Sequence, residues 1–351
     1  MKLKELMKSF VLAFLLLWVT LPINAQTVTT QQENQDSLVN VIAFFCKNDT
    51  LGYDYQHVKM KVVDNDTTVN YYYNCEFQLI VRDSTSQGYK IELKPLYTHI
   101  ENPEDTLMTQ MIEQLVTQMG DVPLIFTTDE CGAIQHVENW REVRDHARKV
   151  SKALTDSLYA LRPELAQVID RQRFEAYLNL QFTNEKSILD SYDELSILFG
   201  LHGKAYRIGK SEEDQTTEGG YPKHLELVAS YGMTSEDDGF EDDYYVKCLS
   251  VITIPAQDVV NMATDRVNMM YNHEMTENDR KELEQAIDED AKVTVIEDDN
   301  YFYNGWPCEM EYDKVTDVKD NRNIEIHRIL WTSRTWGVYN FGETQQTGTD
   351  I

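Results

Sequence analysis

Between Tyr53 and Tyr97 the chain alternates apolar and polar residues with a period of two, the clearest pattern in the sequence. In the first segment, Tyr53 to Val63, the residues Val58, Met60 and Val62 share one face and Lys59 and Lys61 the other, and Asp64-Asn65-Asp66 marks a turn. Tyr71, Tyr73, Cys75, Phe77, Leu79 and Val81 then hold one parity, with Asn74, Glu76, Gln78 and Arg82 on the other. After turn formers from Asp83 to Gly88, Tyr89, Ile91, Leu93 and Tyr97 alternate with Lys90, Glu92 and Lys94. Strict alternation with a polar opposite face predicts half-buried antiparallel strands joined as a meander. Such strands exceed the usual length of about five or six residues, and a sheet of long strands must twist and curl.

Elsewhere the period changes to that of a helix. Leu107, Met111, Leu115 and Met119 predict a helix over Asp105 to Gly120, with Gly120 as its C-cap. Leu124–Thr128 and Ala133–Val137 read as a hairpin across Asp129-Glu130-Cys131-Gly132. A helical block follows. Trp140, Val143, Ala147, Val150, Leu154 and Leu158 form the stripe of a first helix, Pro163 opens a second, and a third runs from Glu185 to Phe199 and stops at Gly200. Stripes this wide face a core.

Residues 209–221 read as a polar loop. Strands at Leu225–Tyr231 and Tyr244–Ile254 flank an acidic run, helices follow from Ala256 and from the N-cap Thr276, and the last strands lie at Lys292–Glu297, Tyr301–Tyr303, Cys308–Val315 and Ile324–Trp331. This order is not a βαβ alternation, so the fold class is α+β rather than a doubly wound sheet. No period of about 20–50 residues marks a repeat array. Residues 39–341 form the globular region, and if it consists of two packed halves they divide near 205–222.

The ends change the picture. Lys2, Lys4 and Lys8 precede the apolar run Phe10–Val19, then Pro22 and the small-residue site Ile23-Asn24-Ala25. That is the order of a secretory signal peptide, residues 1–25. The run is about half the roughly twenty residues a membrane span needs, and no later stretch is long and apolar enough, so the mature chain has no transmembrane segment. No cysteine near the cleavage site invites a lipid. The protein is expected in the periplasm or secreted, with a disordered leader at 26–38 and a frayed tail at 342–351.

A formal net charge of −28, made slightly more negative by cleavage, disfavours nucleic acid and anionic lipid surfaces. It suits solubility, divalent cations and basic partners. Cys46, Cys75, Cys131, Cys248 and Cys308 are sparse and contain no CxxC. The compartment permits one or two bridges among them, and an odd count leaves a thiol over.

No GxSxG, P-loop, GxGxxG or HExxH occurs, which excludes those families only. A site assembled from distant residues stays open. Glu142 and His146, with Glu138 a turn earlier, have the spacing of metal ligands on one helix face. Arg141, Arg144, Arg148 and Lys149 around them suit a solvated charged face instead. Glu236, Asp237, Asp238, Glu241, Asp242 and Asp243 surround Gly239. They offer carboxylate oxygens to calcium, without the spacing of an EF-hand loop, and an acidic hairpin tip is the alternative. Tyr71, Tyr73, Phe77, Tyr89 and Tyr97 line the meander. On a curled sheet they either enclose an apolar cavity or form a core packed under the helices.

The signal peptide, the aromatic meander, the helical block and the turn Asn304-Gly305-Trp306-Pro307 together resemble exported Gram-negative proteins with a half-barrel like that of the lipoprotein carrier LolA. Leu124–Trp140 and Tyr303–Trp331 carry most of the likeness. The resemblance implies a half-barrel sheet wrapped over helices, with a cavity that in the carriers holds acyl chains, and it transfers no functional residue. The resulting expectation is a non-enzymatic periplasmic or secreted binding or carrier-type protein with an apolar cavity, its ligand a lipid or other apolar small molecule. An acidic cell-envelope interaction protein and a hydrolase with a non-local site remain the alternatives.

Overall fold

The computed structural model describes residues 37–63, 66–101, 109, 113, 117–167, 169–217, 219–232, 244–270 and 275–337. The meander forms as three long strands, β2 (Thr50–Val63), β3 (Asp66–Thr85) and β4 (Gly88–Glu101), preceded by the short β1 (Leu38–Asn40) and followed by the hairpin β5 (Leu124–Thr128) and β6 (Ile134–Val137). The helical block is α1 (Trp140–Leu161), α2 (Arg171–Leu178), α3 (Glu185–Leu189) and α4 (Asp193–Phe199). The second half holds β7 (Ala205–Arg207), β8 (Gly209–Thr216), β9 (Pro222–Tyr231), β10 (Tyr244–Ile254), α5 (Ala256–Met270), α6 (Glu277–Ala286), β11 (Ala291–Tyr301), β12 (Pro307–Val318) and β13 (Asn321–Thr335).

Eleven strands make one antiparallel sheet in the order β6-β5-β4-β3-β2-β13-β12-β11-β10-β9-β8, and β1 pairs with β7 in a separate ribbon. The sheet is curved and does not close into a barrel. β2 pairs with β13 along almost its whole length, from Thr50↔Thr335 to Val63↔Asn321. The N-terminal meander and the C-terminal strands are therefore one continuous surface, which crosses the 205–222 boundary without a break.

One face of this sheet is sealed. Leu51, Tyr53, Phe77, Leu79, Val81, Ile91, Leu93, Phe126, Cys308, Met310, Ile329 and Trp331 point into it and belong to one apolar cluster with Leu195, Leu198 and Phe199 of α4. α1 packs on β5, α3 on β6 and α4 on β12, while α2 touches α5. The segment 39–45 crosses the same face as a strap, alternating Val39, Val41, Ala43 and Phe45 into the core. Its amides donate outward to the carbonyls of Lys204, Cys131 and Asn304.

The Asn304-Gly305-Trp306-Pro307 turn fastens the strap. Trp306 is fully buried and stacks on Phe45 with ring centroids 3.8 Å apart. Its Nε1 donates to Asp49 Oδ2 at 3.3 Å. Gly305 has φ +83, and a Cβ there would lie 2.3 Å from the carbonyl oxygen of Ile42, so only glycine permits the strap to lie this close.

Several expectations change. Residues 209–216 are not a loop but the edge strand β8, paired with β9. Nearly all its side chains are exposed, so no alternation could mark it. Tyr301 ends β11, and the residues after it form the turn before β12 rather than a separate strand. The third helix breaks into α3 and α4 around Asp190–Tyr192. Most of the helix expected over 105–120 lies outside the described residues; those described there, 109, 113 and 117–119, are helical, and Gly120 follows in a turn. None of the five cysteines is in a disulfide.

Candidate functional site: a polar belt across the inner face

The register places ionisable residues where apolar ones would be expected. Lys59 and His57 have the parity of buried Tyr53 and Tyr55 and face inward, while Val58, Met60 and Val62 lie half-buried on the outer face, the reverse of the assignment the local pattern suggests. Across the strands, one rung runs Tyr73–His57–His327–Tyr312–Glu297–Cys248. The next runs Tyr71–Lys59–Glu325–Lys314–Val295–Ser250. This belt lies between the large apolar cluster and a smaller one of Ile252, Ile254, Ala291 and Val293 that meets it at Val295.

Glu325 is the hub of one half of the belt. Its Oε1 lies 2.8 Å from His57 Nε2, 2.8 Å from Lys59 Nζ and 3.6 Å from His327 Nε2, and its Oε2 lies 4.0 Å from Lys314 Nζ. Tyr55 OH and His327 Nδ1 share a hydrogen bond of 2.6 Å, which fixes the ring with Nε2 turned toward Glu325. The two imidazoles stack at 3.9 Å, with Tyr71 edge-on to His57 and Tyr312 edge-on to His327. Burial, then the neighbouring His327, lowers His57 to about 3, so it is neutral near pH 7. Burial works to raise the Glu325 carboxyl, but His327, His57 and Lys59 outweigh it and hold the group ionised. Burial lowers Lys314, against the pull of Glu325. From α4, Asp193 and Glu194 add carboxyls that burial raises, Glu194 to about 8.

His57, Glu325 and His327 bring three ligand atoms within 4.8 Å of one another, which invites a metal reading. The charges oppose it. Lys59 already occupies the carboxylate oxygen an ion would use, and a divalent ion about 4 Å from an ammonium is repelled by roughly 8 kcal/mol at an effective dielectric near 20. The arrangement is a self-satisfied ion and hydrogen-bond network.

The other half of the belt is not satisfied. Glu297 and Asp299 of β11 face inward beside Tyr206, Tyr301 and Cys248. Among the described residues no hydrogen bond or ion pair joins either carboxylate. Lys204 and Lys223 are the cations that act on Glu297, which burial nevertheless raises to about 7. Burial likewise raises Asp299.

The aromatic residues singled out from the sequence divide. Phe77 is buried against Tyr53, ring centroids 5.5 Å apart. Tyr73 and Tyr71 face the belt and are half-buried. Tyr89 lies under the strap, donating to the carbonyl of Ala43 at 2.9 Å. Tyr97 does not join them. A bulge near Pro95 sets it opposite Glu76 on the outer face, and it is 52% exposed. His146 Nε2 donates to the carbonyl of Gln118 at 2.7 Å, and Glu138 pairs with Lys90, so the Glu138–Glu142–His146 set does not converge. Glu236, Asp237, Asp238, Glu241, Asp242 and Asp243 lie outside the described residues.

No family model matches the chain, and no curated protein matches it. Among solved structures it is similar to lipovitellin, from a study of lipid–protein interactions, at a TM-score of 0.38 and 9% identity over 84% of this chain and 26% of that one. The chain thus spans about a quarter of that protein. DynF of the dynemicin biosynthesis pathway of Micromonospora chersina aligns at 0.20 and 4% identity over 88% of this chain and 92% of that one. A porin mutant from Rh. blastica aligns at 0.20 and 7% over 81% and 100%. At such scores none of these likenesses carries an argument. Among the described residues no helix is long and apolar enough to cross a membrane.

Proposed function

We propose that this protein is an exported, non-enzymatic binding protein of the carrier type. It holds an amphiphilic small molecule, with lipids as the favoured class, between the inner face of the sheet and the helices. The observation that carries the reading is the belt itself. Tyr71, Tyr73, Tyr312 and Glu297 from the sheet and Tyr192, Asp193 and Glu194 from the helical side all face the interior, and all remain only half-buried. A core packed solely for stability seals such positions with aliphatic side chains. Here aromatic rings and polar groups meet at mid-height between two apolar clusters, the mixture of groups that small-molecule sites use. The signal peptide expected from the sequence supports export to the periplasm or beyond the cell as part of this proposal, and the LolA-like half-barrel expected from the sequence suits a carrier.

The test is a fluorescence titration of the exported form with N-phenyl-1-naphthylamine, a neutral apolar probe. The expected result is saturable binding displaced by a lipid, weakened about tenfold by Tyr71→Ala and Tyr73→Ala and unchanged by Tyr97→Ala on the outer face. Equal weakening by all three variants, or none by any, contradicts the placement.

A further inference from the structure

We infer that the inner face of the β2–β3 hairpin, beyond the belt, receives the head of the bound molecule, and that this head is zwitterionic. A phosphate is held by Lys61, and an amine lies outward of it against Asp66, the chemistry of a phosphoethanolamine or phosphocholine lipid head. The inference rests on the binding reading above and names what its polar end recognises.

The hairpin supplies an open cavity of about 160 Å³, lined by Lys61, Val63, Asp66, Thr68 and Asn70. The register explains why these five meet. Lys61 pairs with Thr68 and Val63 with Asp66, and Lys61 continues the inward parity of His57 and Lys59. Between Lys59 and Met60 the partner on β3 jumps from Tyr71 to Val69, which makes Asn70 the extra residue of a bulge. Beyond that bulge the even positions of β3 face inward.

The polar groups around the cavity have unused capacity. Among the described residues neither Lys61 Nζ nor the Asp66 carboxylate makes an ion pair or a hydrogen bond, although both line the same cavity. Asn70 Oδ1 is buried without a hydrogen bond, and so is Nδ2 of Asn323. Asn323 stands opposite Lys61 on β13, with the inward parity of Glu325, and offers a second donor beside the ammonium. Buried polar atoms without partners are costly and rare, so their grouping at one cavity points to a ligand that completes them.

The balance of charge selects the ligand. An anionic head meets Asp66 and the field of a chain with net charge −28. A cationic head meets Lys61, and a neutral head leaves both charges unused. A zwitterion sets an opposite charge against each. Lys61 and Asp66 are diagonal neighbours on an antiparallel pair, positions about 7–8 Å apart. That spacing suits a phosphate and an amine separated by two carbons better than the one-carbon spacing of an amino acid. Lys61 is the inner of the two and Asp66 lies at the hairpin end, so the phosphate faces inward and the amine outward, the order in which a phospholipid carries them. The next rung inward is Tyr71–Lys59, where the belt begins.

The experiment holds the tail constant and changes the head. Dodecylphosphocholine, dodecyl sulfate and dodecyltrimethylammonium, each below its micellar concentration, are titrated calorimetrically into the protein and into its Lys61→Gln, Lys61→Arg and Asp66→Asn variants. The phosphocholine is expected to bind at least about tenfold more tightly than either singly charged analogue. Lys61→Gln is expected to weaken the phosphocholine and the sulfate about tenfold but not the ammonium. Asp66→Asn is expected to weaken the phosphocholine and the ammonium but not the sulfate, and Lys61→Arg to retain all three. Loss of folding cannot produce this crossed pattern, since it weakens every head alike. A singly charged head bound as tightly as the phosphocholine, or variants that weaken all three heads alike, overturns the zwitterion assignment and leaves the carrier reading standing. Free phosphocholine that competes as well as the dodecyl compound shows that the site takes a soluble phosphoamine, which overturns the lipid-head assignment. Failure of all three amphiphiles together with the naphthylamine probe defeats the binding reading itself.

Discussion

Replacing Glu325 by Gln removes the carboxylate that ion-pairs with both Lys59 and Lys314 on the inner face. At the observed 2.8 and 4.0 Å and an effective dielectric near 20, the lost attractions are about 6 and 4 kcal/mol in gross terms. Much of that is returned, since the glutamine carbonyl still accepts from His57 and the ionised carboxylate no longer needs desolvation. Breaking a buried pair by removing one partner costs about 3–5 kcal/mol. The side chains of Lys59 and Glu325 keep 18% and 16% of their exposure, which puts the expected cost at the lower end, about 3 kcal/mol. Urea unfolding followed by tryptophan fluorescence reads it as a lower midpoint at unchanged slope. The control is Asp317→Asn, which breaks the exposed pair with Arg322 and is expected to cost less than about 1 kcal/mol. If Glu325→Gln costs no more than the control, the belt is not an ion network.

Other outcomes follow from the same geometry. Burial leaves His57 near 3 and His202 near 4, both below the unfolded value, so their stabilising contribution is complete above about pH 6.5 and is lost as pH falls from there. Glu194 and Glu297 titrate near 8 and 7 in the fold, above their unfolded value, so their contribution fades as pH rises from about 4.5 toward 8. Stability is therefore expected to decline between pH 6.5 and 8, and Glu194→Gln to lessen that decline; urea midpoints at the two pH values decide it, and an unchanged decline counts against the desolvation of the Glu194 carboxyl. Gly305→Ala drives a Cβ to 2.3 Å from the Ile42 carbonyl at positive φ and should lower stability by about 1–3 kcal/mol, measured by thermal unfolding. Trp306→Phe leaves Asp49 one donor short and is expected to cost at least about 1–3 kcal/mol; a midpoint equal to that of the unaltered protein shows that the strap is not fastened there.

The architecture was legible wherever one face of an element met water. The long parity runs of β3 and β4, the stripe of α1 and the glycine-bearing turn before β12 all come from local patterns that the fold preserves. β8 was not legible, because an edge strand with exposed side chains has no alternation. Nor was the direction of β2, where each parity set is partly apolar: what turns Lys59 inward is Glu325, opposite it only after the whole chain has folded. The same limit hid the belt. His57 and Lys59, Glu325 and His327, and Glu297 and Asp299 are ionisable pairs two apart within strands, and each shares parity with a buried aromatic residue. That combination is the one local signal that points to them. Tyr97 shows the converse, since a single bulge reversed a parity that the sequence alone carried straight through.

Native mass spectrometry of the protein, purified without detergent from the cells that make it, tests the central claim most directly. The expected result is a stoichiometric added mass in the range of a lipid, released by collisional activation and reduced in a Tyr71→Ala, Tyr73→Ala double variant. A bare polypeptide mass, unchanged after incubation with envelope lipids, contradicts the claim that the space under the sheet exists to hold a ligand.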